Sequence, residues 1–436
     1  MTVTCWEANM HKIRRIGGLH IFLKNEFMQS IWNQRWQQFS FFAVSCLAVA
    51  STMGAALISL SKVLLLIAVF AQVYFDLKNK SWPDWREWPL TCWAVLLAFA
   101  WISLSWFWID STAQDAWKGW GRYSRLLWLV AVVYVLRTPL MAQKILKWQV
   151  GGLVFLLISS WMLWLGLPVP WATAAYPPEL GIVSASTLEQ PVYLTILVAY
   201  LWVFKSYWTK GPWRFIVPVL IAITIINIFF IMTGRTGFLV MFVLSLMALY
   251  WALPQRWKYT FWVIPLVSMV VLFNVSPRFQ NRTAQVLSDI QNYQQGNAQT
   301  SQGMRLDYWH RSLLAISEKP ILGHGVGSWR SNYHRLGGIE QELAPSNPHQ
   351  QYLLWAVEGG LVGLLFLLGI FAALYKDALT TEPESKRFML VAVTIAAVMS
   401  FMNCPFFGVG LGEFFVVIYG CLLVTRSPQH TNFNNQ

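Results

Sequence analysis

The stretch FSFFAVSCLAVASTMGAALISLSKVLLLIAVFAQVYF, residues 39–75, holds Lys62 as its only charged side chain. A helix that crosses the hydrocarbon of a bilayer needs about 20 apolar residues. The stretch is too long for one ordinary span and short for two. The small and polar residues at Ser51–Gly54 interrupt it, so one reading is a hairpin of two short helices, 39–57 and 58–75. The alternative is a single long span, which lowers the helix count to eleven and reverses the side of everything that follows.

The rest of the chain decides between them. Its 436 residues are 56% hydrophobic and only 12% charged, with Trp 26 and Phe 28. Soluble chains carry about twice that charge, and Trp gathers where lipid meets water. Further apolar runs lie at 89–109, 119–136, 149–168, 191–208, 215–233, 237–253, 260–276, 350–375, 388–404 and 411–425. With twelve spans and the N-terminus inside, most Lys and Arg fall in cytoplasmic segments. The short outer segments keep only Lys62, Lys118, Arg122, Arg125 and Arg235. The expected fold is therefore all-α: a polytopic membrane protein of about 12 transmembrane helices, both termini cytoplasmic. A net charge of +13 is explained by this topogenic bias and calls for no nucleic acid.

The chain divides accordingly. A basic cytoplasmic segment covers 1–38, helices 1–9 cover 39–276, an outer loop covers 277–349, helices 10–12 cover 350–425, and 426–436 is a tail. The first 38 residues lack the apolar core and cleavage site of a signal peptide. Gln, Asn and Ser crowd 280–303, which reads as a surface helix and connector. From Met304 to Ser317 the apolar residues Leu306, Trp309, Leu313 and Ile316 recur at helical spacing, and Pro320 with the glycines of GHGVGSW (323–329) ends that helix. Four of the five cysteines fall in apolar runs and no CxxC pair occurs, so neither a disulfide framework nor a zinc site is implied.

A few residues carry chemistry. Arg235 stands in TGRTG (233–237), between two apolar runs with almost no loop. An Arg at the membrane centre costs at least about 2.5 kcal/mol, so it needs a partner, a wet cavity, or a helix end from which to snorkel. Arg305 opens the helix of the outer loop, where a solvated residue paired with Asp307 is one reading and an anion ligand the other. Arg122 and Arg125, near the outer end of the fourth span, serve an anion or snorkel. His349 lies in NPHQQYLLWAVEGG (347–360), where the loop re-enters the membrane; a neutral His can take a proton from a hydroxyl, or sit at the interface without chemistry. His310, His324 and His334 match no zinc spacing. Gly323, Gly325 and Gly327 lack the strand–turn–helix setting of a nucleotide loop, and no Walker motif occurs, so no nucleotide cofactor is expected.

Taken in order, TGRTG between two spans, MRLDYWHRSLLAISEKPILGHGVGSW (304–329) in a long outer loop, and NPHQQYLLWAVEGG leading into the next span resemble the O-antigen ligase family. The wider superfamily also holds O-antigen polymerases and protein O-oligosaccharyltransferases. The resemblance covers roughly 215–425; the earlier spans agree by hydropathy alone. It implies a glycosyltransferase of the bacterial inner membrane that takes a glycan from undecaprenyl diphosphate on the periplasmic side and passes it to lipid A–core.

By the same resemblance Arg235 and Arg305 bind the diphosphate, with Arg122 and Arg125 as possible additions, and His349 is catalytic. Guanidinium groups bind phosphate oxygens in pairs and offset the charge of the leaving group, so neither a metal nor a cofactor is called for. His349 would orient or deprotonate the acceptor hydroxyl, with inversion at the anomeric carbon. Where the family has Asn after this His, the chain has Gln350. The rival readings are a polymerase, a protein O-oligosaccharyltransferase and, from a different class, a polysaccharide transporter or flippase. A transporter would string buried charge along a path through the membrane, whereas the charges here gather toward the outer ends of the spans.

Overall fold

The computed structural model describes residues 34–184, 186–232, 235–263, 277–294, 300–338 and 345–426, with Val267, Val270 and Asn274 between them. The ninth apolar run, 260–276, lies largely outside the described residues, as do the N-terminal segment through 33 and the tail from 427. Among the described residues the structure is helical, with one isolated bridge, Thr381 to Arg426, and no strand. Six helices are long and apolar enough to cross a membrane and three shorter apolar ones accompany them. The protein is an all-α polytopic membrane protein.

Residues 39–75 fall in two helices, α1 (34–50) and α2 (Ala55–Asn79). Ser51–Met53 close the turn through bonds back to Leu47, Val49 and Ala50, and Gly54 leaves it at φ 149°. The helices run antiparallel, because the Trp36 ring near the start of α1 lies 6.0 Å from the Phe75 ring near the end of α2.

Next comes α3 (Leu90–Leu104), whose amide end is fastened by a distant carboxylate. Asp377 accepts from the Thr91 amide at 2.8 Å and the Thr91 hydroxyl at 2.7 Å, and pairs with Arg426 at 3.3 Å. The fourth apolar run is not one span. It begins as the amphipathic helix α4 (Ala113–Tyr123), capped by the Thr112 side chain, passes through a 3-10 turn at Ser124–Leu126, and ends as the nine-residue α5 (Leu127–Val135). Polar Gln114, Asp115, Lys118 and Arg122 make its first part a surface element rather than a lipid-facing one.

Then follow α6 (Pro139–Trp164), α7 (Gln190–Val203), α8 (Trp213–Ile226), α9 (Arg235–Ala252), α10 (Pro277–Gln294), α11 (Ser301–Glu318), α12 (Trp329–Arg335), α13 (Gln351–Ala378), α14 (Pro383–Met402) and α15 (Val409–Val424). A helix that is apolar all round is either buried centrally or faces lipid. α7 and α15 take the first course: Leu411 through Leu423 are all buried. α2 and α8 take the second, exposing Leu60, Val63 and Phe70, or Phe215, Ile216 and Val219.

The long loop packs as a small subdomain on one end of this bundle, here the loop end. Its core is aromatic. Trp329 stacks on Tyr333 at 5.1 Å and Tyr308 meets both edge-on; the Trp329 indole donates to Ser312 at 2.8 Å. Asp307 receives Arg311 at 2.9 Å and the Tyr333 hydroxyl at 2.7 Å.

The glycine-rich turn after α11 joins this subdomain to a break in α13. Gly360 has φ 66° inside that helix. Around it the His324 amide donates to Val357 O at 2.8 Å, Gly325 N to Glu358 O at 2.9 Å, and Leu361 N to Pro320 O at 2.8 Å. Helix groups orphaned by the break thus find partners in the turn, as buried backbone must. The fit admits no side chain: a Cβ on Gly323 would lie 2.4 Å from Gly360 N, and one on Gly327 2.2 Å from Asp115 O.

The break also redirects the chain. α13 and α14 share a short connection, yet the Tyr352 hydroxyl donates to Ala397 O at 2.9 Å. At 1.5 Å per residue, Ala378 back to Tyr352 measures roughly 39 Å and Pro383 up to Ala397 roughly 21 Å. A straight α13 would carry Tyr352 far past Ala397. Residues 351–359 therefore lean across the loop end, and the helix start at Gln351 is brought over the bundle.

Candidate functional site

The segment 345–349, which delivers the chain to that helix start, is held carbonyl by carbonyl. Arg330 Nε donates to Pro345 O at 3.4 Å, Arg122 Nη1 to Ser346 O at 3.3 Å, and the Trp309 indole to Pro348 O at 3.2 Å. Three elements, α12, α4 and α11, converge on five residues. His349 ends the segment at φ 51°, a left-handed conformation uncommon outside glycine. The Asn347 side chain supports it, accepting from the His349 amide at 2.9 Å in an Asx turn.

The His349 ring is positioned from two sides. Its Nδ1 lies 3.3 Å from Asn403 Oδ1, in the connection between α14 and α15, and the Tyr308 ring of α11 lies 6.2 Å away. With the amide oxygen toward Nδ1, the ring donates there and Nε2 keeps its lone pair. Burial pushes the His349 pKa below the ordinary histidine value; the Asn403 bond opposes this and the positive charge of Arg305 adds to it. Burial and Arg305 both favour the neutral imidazole.

Arg305 stands one helical turn before Tyr308 and Trp309 on α11, on the side turned to this segment. Arg122 lies over the Phe407 ring at 4.7 Å. Arg305, Arg122, Arg330 and His349 therefore come together. The Gln350 amide is spoken for: its oxygen caps α13, accepting from Leu353 N at 2.6 Å. The start of α13 adds the partial positive charge of a helix N-terminus.

Arg125 goes elsewhere. It donates to the Phe407 carbonyl and lies 3.8 Å from Glu413, a fully buried carboxylate that also pairs with Lys62. Arg235 opens α9; its side chain lies outside the described residues, as do Thr233 and Gly234. The helix start itself is well packed, since a Cβ on Gly237 would lie 2.9 Å from Pro191. The neighbouring Glu189 in turn reaches Gly408, so this start and the 403–408 connection share the loop end.

His324 is a strut. Its Nδ1 lies 2.7 Å from Asp110 and its Nε2 2.8 Å from Ala315 O, tying the glycine-rich turn to the end of α11. Beneath the turn, buried Glu358 approaches the Trp329 amide at 3.5 Å, with the charge of Arg122 and the Tyr123 hydroxyl beside it.

Sequence reasoning passed over Arg330, Asn403, Glu358 and Glu413. Each carries a signal. Arg330 directly follows GHGVGSW. Asn403 is an amide closing an apolar run, and Glu358 and Glu413 are acids within apolar runs, where ionisable groups are costly and usually functional.

Fold and site together define a polytopic membrane protein with a partly buried histidine and three arginines gathered at the loop end of its bundle. Residues 220–368 match the family model described as O-antigen ligase. The match takes in Arg235, Arg305, Arg330 and His349, but neither Arg122 nor Asn403. An uncharacterized protein of Haemophilus influenzae is 33% identical over 117 residues, which cover 24% of this chain and 29% of that protein. The chain thus spans 29% of that relative's length.

Proposed function

We propose that this protein is the O-antigen ligase of a bacterial inner membrane, transferring a glycan from undecaprenyl diphosphate to a hydroxyl of lipid A–core on the periplasmic side. The observation that carries this reading is the convergence of Arg305, Arg122 and Arg330 on the segment that ends in a neutral, Asn403-braced His349. The family match over 220–368 supports a reaction on lipid-linked glycans.

In this reading the diphosphate lies against the arginines and the start of α13. Arg235 contributes from the same end of the bundle. As the glycosidic bond breaks, negative charge grows on the diphosphate, and guanidinium donors already in place stabilise it without reorganising. His349 Nε2 takes the proton of the acceptor hydroxyl while its oxygen attacks the anomeric carbon from the face opposite the diphosphate. The anomeric configuration inverts. The arginines supply the charge that a metal supplies elsewhere. The polyprenyl chain stays among the lipid-facing helices, which is why the site must open at the membrane boundary.

The test is a gel of lipopolysaccharide from a deletion strain. Ligase loss leaves core with no O-chain and long glycan on the carrier, and His349→Ala on a plasmid fails to restore the ladder. Core bearing a single repeat would replace the reading with a polymerase, and an intact ladder with lost protein glycosylation would replace it with a protein O-oligosaccharyltransferase.

A further inference from the structure

The Lys62–Glu413 pair sits inside the bundle and outside the site, and ion pairs in such places are expensive to desolvate. Glu413, in the second turn of α15, is fully buried. Lys62 reaches it from α2 and Arg125 from the 3-10 turn before α5. Glu189, ahead of α7, shares the same electrostatic neighbourhood. Four elements thus send charge to one point. What that point holds is the 403–408 connection, because Arg125 turns its other donor to the Phe407 carbonyl. The same connection is pinned at Phe406, whose amide donates to Gln351 at 3.2 Å, and it carries Asn403, which braces His349 at 3.3 Å. Its Phe407 ring underlies Arg122.

We infer that Glu413 is a positioning residue for His349: held by Lys62, it orients Arg125, which fixes the 403–408 connection and with it Asn403 and the seat of Arg122. The inference rests on the reading of His349 as the base. Glu413 touches no reacting atom. Its carboxylate has the geometry of a clamp, with two cations on one acid and the second cation bridging to a backbone carbonyl. A carboxylate does this where an amide does not, because only the charged acceptor draws a guanidinium away from water and aims it. Removing the charge leaves Arg125 and Lys62 with excess positive charge, and the connection loses its tether on the side away from the subdomain.

The protein supplies its own probes. Cys404 lies in the connection and is buried, and Cys421 lies two turns beyond Glu413 on α15, also buried. In the full-length protein in nanodiscs, site-resolved alkylation measured by mass spectrometry should rise at least about tenfold at Cys404 in Glu413→Gln while Cys421 stays protected. Transfer assays on the same sample should show kcat down tens-fold with the donor KM changed less than about threefold, and Glu413→Asp should recover part of the loss. Protection of Cys404 equal to wild type overturns the inference, whatever the activity. Reaction of both cysteines means the variant has unfolded. In that case the double variant Lys62→Met/Glu413→Leu, which removes both buried charges, is read by the same two criteria. His349→Ala run in parallel separates the layers: full transfer by that variant overturns the base assignment, while the Cys404 result still reports on the clamp.

Discussion

His349 Nδ1 and Asn403 Oδ1, 54 residues apart in the chain, lie 3.3 Å from one another. The contact joins the loop subdomain to the connection between α14 and α15. With the Asn403 amide oxygen accepting, the proton sits on Nδ1 and Nε2 is left to act.

Opposite shifts in the pH dependence of transfer should follow from the two neighbours of His349. Arg305 lowers its pKa and Asn403 raises it. A base must be unprotonated, so the acid limb of kcat/KM should lie below the ordinary histidine value of about 6.5. Arg305→Gln should move that limb to higher pH. Asn403→Leu should move it to lower pH, while activity on the plateau falls as the tautomer is released. Shifts in the same direction would remove His349 as the titrating group.

His349→Gln should lower transfer by about 10²- to 10⁴-fold, the usual worth of a general base. Membrane insertion and the abundance of the protein should be unchanged, since the ring lies at the loop end of the bundle and belongs to no span. Radiolabelled glycan transfer in vesicles, normalised to immunoblot signal, measures this.

Gln350→Ala should matter little to chemistry. It removes the cap on Leu353 N and costs about 1 kcal/mol of helix stability. Gln350→Asn keeps a capping side chain and should leave both melting and transfer near wild type. A loss of a hundredfold in transfer by Gln350→Asn would give the amide a chemical role.

Alanine at Gly323 or Gly360 should release the subdomain from α13. Both have positive φ, and the new Cβ would press on backbone at 2.4 Å and 2.1 Å. Strain of this kind costs about 1–3 kcal/mol before the clash is counted. Gly369→Ala, with open space around it, should be tolerated or slightly stabilising. Limited proteolysis within the loop distinguishes the three.

Acid should loosen the same junction. Burial opposes ionisation of Asp110, but bonds from Lys319 and His324 outweigh it and hold its carboxyl below the usual carboxylate range. A depressed carboxylate stabilises the fold above its unfolded value and loses that contribution as pH falls through the folded one. Protease resistance of the 319–328 turn should therefore drop in acid, below the usual range for Asp. Asp110→Asn should be susceptible already at neutral pH, with a flatter profile.

The class of the protein was determined by sequence alone, and the reason is physical. A chain so apolar must have lipid as solvent, and each span must satisfy its own backbone bonds within about 20 residues. Both are local properties, readable one run at a time, and so are the glycine and proline punctuation at Ser51–Gly54 and Pro320–Gly327. The residue types suited to phosphate and proton chemistry were legible too. Only the tertiary structure decided which of them meet. Arg122 and Arg125 are three residues apart and looked alike; one goes to Ser346 and the other to Glu413. Their chain separates at a 3-10 turn where α4 leaves the bundle surface and α5 enters it, a bend that hydropathy does not register. Asn403 reaches His349 because α13 breaks at Gly360 and lies across the bundle, and that break depends on partners donated by a turn more than thirty residues earlier. Periodicity reports which face of a helix is apolar; the site was made by contacts between elements, and those depend on how the whole chain packs.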